Sequence, residues 1–182
     1  MINNINQFLK MYNEHKSLVY NTALNYLQSI EDAEEITQDV FVQLHNSIDK
    51  FNEKSTLKTW IYRITINKCL DFIKHKQSQK RFFIFGKKSS DEFEIQNIST
   101  FEHPGILLEN KENASILFSI VKQLPEKQKT AFTLSKLDGL NNTEIAMIMN
   151  VSISSVESLI FRAKTTLKEK LSAKFGEFRK KK

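Results

Sequence analysis

Almost nothing in this chain stops a helix. Apolar side chains recur three and four positions apart over most of its 182 residues, and only four Gly and two Pro punctuate them. Proteins average about 7% Gly and 5% Pro, and a turn-rich β-sandwich or barrel depends on such punctuation. An all-β fold is therefore disfavoured and an all-α one expected. The glycines stand singly at Gly86, Gly105, Gly139 and Gly176, which removes any Gly-rich phosphate loop. Cys69 is the one cysteine, so no internal disulfide forms, and no Cys/His group has zinc spacing. No metal or other cofactor is expected. No apolar run approaches the roughly 18–20 residues of a membrane span, and MINNINQFLK lacks a signal-peptide pattern. The expectation is a soluble cytoplasmic protein without membrane insertion.

Charge divides the chain more sharply than its total suggests. The net charge is +6, which hints at a polyanionic partner. Residues 1–50 carry −4, residues 51–90 carry +8, residues 91–124 carry −4 and residues 125–182 carry +6. Two basic blocks are thus separated by an acidic stretch. In the first 80 residues three helical patterns follow one another: Leu18, Thr22, Ala23 and Tyr26; then Ile36, Val40, Phe41, Leu44 and Ile48; then Leu57, Trp60, Ile61, Ile64, Cys69, Phe72 and Ile73. The periodicity fails from Gln77 to Gly105, a stretch of Ser, Asn, Lys and Phe that reads as a linker. It resumes near Leu107 and continues to about Phe175, broken at Leu124-Pro125 and Asp138-Gly139. Pro125 suits a first helical turn and Gly139 a left-handed C-terminal cap. The organisation expected is two small helical domains, 1–80 and 107–175, joined by a flexible linker, 81–106, with a basic tail, 176–182.

The most specific local pattern is NNTEIAMIMNVSISSVESLIFRAK, residues 141–164. A helix-turn-helix packs two short helices steeply across a tight turn. That geometry needs apolar residues at set places, a small residue at the crossing, and a turn residue that accepts positive φ. Ile145 and Met149 suit the inner face of the first helix and Ala146 the crossing, while Asn150 suits the turn. Val151, Val156 and Leu159 would close the core. Asn141 with Glu144 forms a capping-box pattern, and Ser152 or Ser154 can cap the second helix. Left over for DNA are Ser154, Ser155, Glu157, Ser158, Phe161 and Arg162. Arg162 suits guanine, Glu157 a cytosine amino group and Phe161 a thymine methyl. Equally, Glu157 suits a capping box with Ser154, and Arg162 a phosphate or solvent. Lys164, Lys168 and Lys170 suit sequence-blind phosphate contacts or a solvated face.

The N-terminal block is different in kind. In EDAEEITQDVFVQL, residues 31–44, the early acids Glu31, Asp32, Glu34 and Glu35 suit a helix dipole. The dipole does not account for Glu35, Gln38 and Asp39, three and four apart on one polar face. An acidic face repels nucleic acid, so a protein partner is expected there. Residues 51–81 instead interleave Phe51, Trp60, Tyr62 and Phe72 with Lys54, Lys58, Arg63, Lys68, Lys74 and Lys76. Aromatics among lysines can hold single strands, although Trp60, Ile64 and Phe72 fit a core better. Asn67 suits either a base edge or water.

With both blocks in place, the chain resembles the extracytoplasmic-function (ECF) sigma factors, bacterial initiation subunits of RNA polymerase. The matching segments are DAEEITQDVFVQL (32–44), STLKTWIYRITINKCLDFIKHKQ (55–77), LPEKQKTAFTLSKLDGLNNTEIAMIMNVS (124–152) and SVESLIFRAKTTLKEKL (155–171). The resemblance implies an acidic helix docking on the β′ clamp helices of core polymerase through Glu35, Gln38 and Asp39, with further contact to the β subunit. It implies that FNEKST (51–56) and the helix after it capture and melt the minus-ten element. By position that involves Asn52, Ser55, Thr56, Lys58 and Asn67, with Arg63, Lys68 and Lys74 on the backbone. The helix-turn-helix would read the minus-thirty-five element, and the linker would thread the polymerase's RNA path. Many family members place basic residues where Glu157 and Leu159 stand here.

The resemblance also implies a binding protein, not an enzyme, with promoter DNA and an anti-sigma factor as partners and no small-molecule substrate. Asp32, Asp39 and Asp71 are too scattered for a metal-carboxylate centre. The rival reading is a stand-alone helix-turn-helix regulator with an N-terminal effector domain. It accounts for residues 125–175 but not for the acidic-then-basic order of residues 31–81.

Overall fold

A computed structural model describes residues 2–48, 51, 55–86 and 111–180. Among these residues there are seven helices and no strand: α1 (Ile2–Leu27), α2 (Ile30–Ser47), α3 (Leu57–Gly86), α4 (Lys111–Val121), α5 (Glu126–Lys136), α6 (Asn142–Met149) and α7 (Ile153–Lys180). The chain is all-α, as its scarcity of helix breakers requires. No single described helix is long and apolar enough to cross a membrane.

The described residues fall into two compact units. The first holds α1, α2 and α3 from Ile64 onward. α1 passes to α2 through Gln28, whose φ of 59° lies in the left-handed region, and its N–H closes the last turn on the Leu24 carbonyl at 2.8 Å. Ser29 then caps α2, its hydroxyl accepting from the Asp32 N–H at 3.2 Å. Ala33, Ile36, Val40, Phe41 and Leu44 form the buried stripe of α2. They pack with Val19, Ala23 and Tyr26 on the α1 side, and Ile64, Thr65, Ile66 and Cys69 are the buried positions of α3 in this unit. Two ion pairs tie α2 to α3, Lys76–Asp32 at 2.9 Å and Lys68–Asp39 at 3.4 Å.

Thr56 starts α3 by accepting the Thr59 N–H on its hydroxyl at 3.2 Å. The helix then runs to Gly86, beyond the residue-80 boundary read from periodicity. QSQKRFFIF contains no breaker, so loss of amphipathicity does not mark loss of helix. Residues 87–106 of the expected linker lie outside the described residues.

The second unit holds Phe51, the start of α3 as far as Arg63, and α4 to α7. Sequence periodicity had grouped residues 51–63 with the N-terminal block. A cluster of Ile120, Val121, Leu124, Phe132, Ala163 and Leu167 forms part of its core, with Ile116, Leu117 and Leu171 packed against it. Pro125 occupies the N-cap of α5 and Gly139, at φ 71°, lets the chain turn after it. The Leu140 N–H then donates back to the Leu134 carbonyl at 3.0 Å.

Candidate polymerase-docking and nucleic-acid surfaces

The helix-turn-helix is built as its local chemistry demands. Asn141 accepts the Glu144 N–H at 2.9 Å, and Glu144 returns the bond to the Asn141 N–H at 2.9 Å, completing the capping box of α6. Asn150 ends α6 in the left-handed conformation, φ 53° and ψ 51°. The chain then turns through 101° into α7, within the range of this motif. Ser152, not Ser154, caps α7: its hydroxyl accepts the Ser155 N–H at 3.2 Å and lies 2.8 Å from the Ser155 hydroxyl.

The core differs from the expected one at three positions. Ile145 and Ala146 are buried as anticipated, but Ile148 takes the place assigned to Met149, which is half-buried. Likewise Val156 is buried, while Val151 and Leu159 are half-buried and Ile160 is buried. α6 packs against both α5 and α7, so it buries two faces where a single periodic stripe was read.

This packing divides α7 cleanly. Val156, Ile160, Ala163 and Leu167 face inward at helical spacing. Ser154, Ser155, Glu157, Ser158, Phe161 and Arg162 are all exposed, Phe161 by 71%. A phenyl ring so fully in water on a well-packed helix is uncompensated within the unit. Glu157 does not close a capping box with Ser154; its carboxylate accepts from the Asn142 side-chain amide at 3.5 Å. Ile153, 46% exposed at the start of α7, joins this surface. In the sequence an apolar residue beside a helix start reads as core.

The residues assigned to the minus-ten region are more heterogeneous. Asn52 lies outside the described residues. Ser55 is half-buried, and Thr56 is exposed but spends its hydroxyl on capping α3. Lys58 and Asn67 are exposed, and the Lys58 ammonium sits 5.9 Å from the centre of the Tyr62 ring. Arg63, half-buried within the second unit, donates to the Met147 carbonyl at 2.6 Å and the Ile148 carbonyl at 3.4 Å. It thereby satisfies the orphan acceptors at the end of α6. Lys68 is half-buried and paired with Asp39; Lys74 is exposed. The aromatic platforms are mostly occupied internally. Tyr62 is buried, Phe51 and Trp60 pack on each other at 5.1 Å, and Lys76 covers Phe72 at 5.2 Å.

On α2, Glu35, Gln38 and Asp39 are all exposed on one face. Beside them an open trough of about 310 Å³ runs between α1 and α2, lined by Phe8, Tyr12, Gln38, Phe41, Val42, His45 and Asn46. Among the described residues no group of His, Cys, Asp or Glu is arranged to hold a metal ion.

Two family models match this chain, Sigma-70 region 2 over residues 11–79 and Sigma-70 region 4 over residues 115–167. The chain belongs to the sigma-70 family, in its ECF group. Members of this family are initiation factors without enzymatic activity, and region 4 is a DNA-binding helix-turn-helix. The chain is similar to the ECF RNA polymerase sigma-E factor of Escherichia coli K12, with 29% identity over 141 residues, 77% of this chain and 74% of the relative. It is 28% identical to the sigma-E factor of Haemophilus influenzae over 144 residues, 79% of this chain and 76% of that one. Among solved structures the fold is shared with RpoE of Bartonella quintana, crystallised with the anti-sigma factor NepR, at a TM-score of 0.67 and 19% identity, covering 91% of this chain and 97% of that one. It is also shared with CnrH bound to the cytosolic domain of CnrY, at a TM-score of 0.64 and 19% identity, covering 91% and 88%. In this sigma-70 protein, α1 from Met11, α2 and α3 to Gln79 carry region 2, while residues 115–167, from α4 into α7, carry region 4.

Proposed function

We propose that this chain acts in the cytoplasm by binding core RNA polymerase through Glu35, Gln38 and Asp39 of α2 and making it promoter-specific. Residues 51–74 then engage the minus-ten element: Asn52, Ser55, Thr56 and Asn67 at the bases, and Lys58, Arg63, Lys68 and Lys74 on the backbone. Binding the unpaired non-template strand drives opening. The exposed face of α7, Ser154 to Arg162, reads the minus-thirty-five element, and residues 81–106 tether the two DNA-binding parts along the polymerase's RNA path. An anti-sigma factor is the expected inhibitor, since both structural relatives described above were solved with a protein partner, one of them an anti-sigma factor.

The observation that most supports this function is the division of α7. Its buried stripe locks the helix into the domain while Ser154, Ser155, Glu157, Ser158, Phe161 and Arg162 stand in water, the arrangement a major-groove reader requires. Glu157 sets an unusual preference at one position, because a carboxylate accepts from cytosine and repels phosphate. The purified protein is expected to bind core polymerase, and only the complex to yield specific transcripts. Charge reversal at Glu35 and Asp39 should weaken polymerase binding without altering the fold. Tight sequence-specific binding of duplex DNA by the free protein, with no polymerase association, would refute the proposal.

A further inference from the structure

The positive charge of the helix-turn-helix domain does not lie where bases would be read. Residues 125–163 hold four basic and four acidic residues, and one of the four bases, Lys129, is buried. Residues 164–182 hold eight basic and two acidic residues, so the whole +6 of residues 125–182 falls after Ala163. Phosphate charge supplies much of the affinity of DNA-binding proteins. A neutral surface that includes Glu157 gains little from it.

α7 carries the charge on a firm support. It runs unbroken to Lys180, well past the region 4 match, which ends at residue 167. Leu171 packs against the core cluster of the unit, and the Lys170 ammonium donates to the Gln123 side-chain oxygen at 2.7 Å. The helix is thus held to its domain for a full turn beyond the family segment. On its solvent side, Lys164, Thr165, Lys168 and Ser172 stand three, four, seven and eleven positions after Phe161, which places all five along one stripe. All five are exposed. At 1.5 Å of rise per residue, Lys168 lies about 10 Å along the axis from Phe161. A major groove is about 12 Å wide. A helix whose first turns lie in the groove has therefore reached the phosphates at its edge by Lys168.

We infer that the second half of α7 is the electrostatic anchor of this domain, with Lys164 and Lys168 holding the phosphate backbone at the edge of the groove that the first half reads. The inference rests on the reading role proposed for α7 and extends it from recognition to affinity. The ligand is the sugar-phosphate backbone of duplex DNA, bound without regard to sequence. Charge and continuity both select it: the stripe is basic, and it prolongs the face that carries Phe161. Lysine suits the task, because a compact ammonium on a flexible stem meets a phosphate as a point charge. The two halves of one helix thereby divide the work, uncharged and acidic side chains discriminating bases and lysines supplying attraction.

The test measures the affinity of holoenzyme, assembled with full-length variants, for duplex promoter DNA over a range of salt. Lys164→Gln with Lys168→Gln should weaken binding roughly tenfold near about 0.1 M salt and flatten the log–log salt slope by about 1.8, the value for two duplex phosphates. The loss should be the same on promoters with altered minus-thirty-five sequences. Lys164→Arg with Lys168→Arg keeps the charge and should keep the wild-type slope. Both pairs should melt at the wild-type temperature and bind core polymerase normally, the two lysines being exposed. Arg162→Ala is measured alongside and should change the preference among minus-thirty-five sequences. If it does so while the glutamine pair leaves the slope unchanged, the anchor is overturned and the reading role stands. If neither has its effect, the reading role of α7 falls as well. Weaker binding of core polymerase by the glutamine pair also overturns the inference, by assigning the stripe to a protein contact.

Discussion

Asn150 is one residue whose backbone decides a whole motif. At φ 53° it holds the turn between α6 and α7, a conformation costing most L-residues roughly 1–2 kcal/mol and Asn less. Asn150→Ala should therefore lower unfolding free energy by about 1 kcal/mol, and Asn150→Gly should be neutral or slightly stabilising. Equilibrium denaturation of the two variants checks this; equal losses in both would place the importance of Asn150 in its side chain. The turn residue and the Asn141–Glu144 capping box were legible in the sequence, because both depend on a few neighbouring atoms. Arg63 was not. Its partners, the carbonyls of Met147 and Ile148, lie more than eighty positions along the chain, and no local pattern announces such a bond.

At the scale of elements, two forces set the helices: caps at their starts and stripes on their inner faces. Thr56 illustrates how a cap and a proposed DNA contact coincide. Thr56→Ala should destabilise the protein by about 1 kcal/mol through loss of the α3 cap, whereas Thr56→Ser keeps the bonding oxygen and should retain most of that stability. Any loss of promoter opening that appears in Thr56→Ala but not in Thr56→Ser then reports the hydroxyl, and loss in both reports the methyl group. The stripe of α2 followed from spacing, since that helix buries one main face; on α7 spacing placed Val156 but chose Leu159 where Ile160 is the buried residue. α6 defeated the same reasoning because it packs on two neighbours at once, moving Ile148 inside and leaving Met149 at the edge. α3 defeated it at its end, where helix persisted to Gly86 after the amphipathic pattern had gone.

Over the whole molecule, charge is sorted by task. The net −4 of residues 1–50 includes the face proposed to meet polymerase, and the +8 of residues 51–90 with the +6 of residues 125–182 lie on the segments proposed to meet DNA. Such contacts release counterions, so holoenzyme affinity for promoter DNA should fall steeply with salt. Lys58→Ala should weaken it to a similar degree across promoter sequences and flatten the log–log salt slope by about 0.7, the value for one single-strand phosphate. An unchanged slope would remove Lys58 from the backbone contacts. The ion pairs Lys68–Asp39 and Lys76–Asp32 are each partly exposed, so their contribution to stability is modest.

The sequence by itself determined that the chain is helical, that it carries a helix-turn-helix at residues 141–164, and that acid and base are segregated along it. These properties rest on spacing, composition and neighbouring residues, which operate over one or two helical turns. Only the tertiary structure decided which apolar residues stay in water. Val42 and Ile153 have the chemistry of core residues, yet they stand in water while Val40 and Ile160 are buried. The difference arises because burial depends on which other helix arrives at a given face. On α2 the neighbouring helix left Val42 uncovered, and on α7 the inward stripe left Phe161 in solvent.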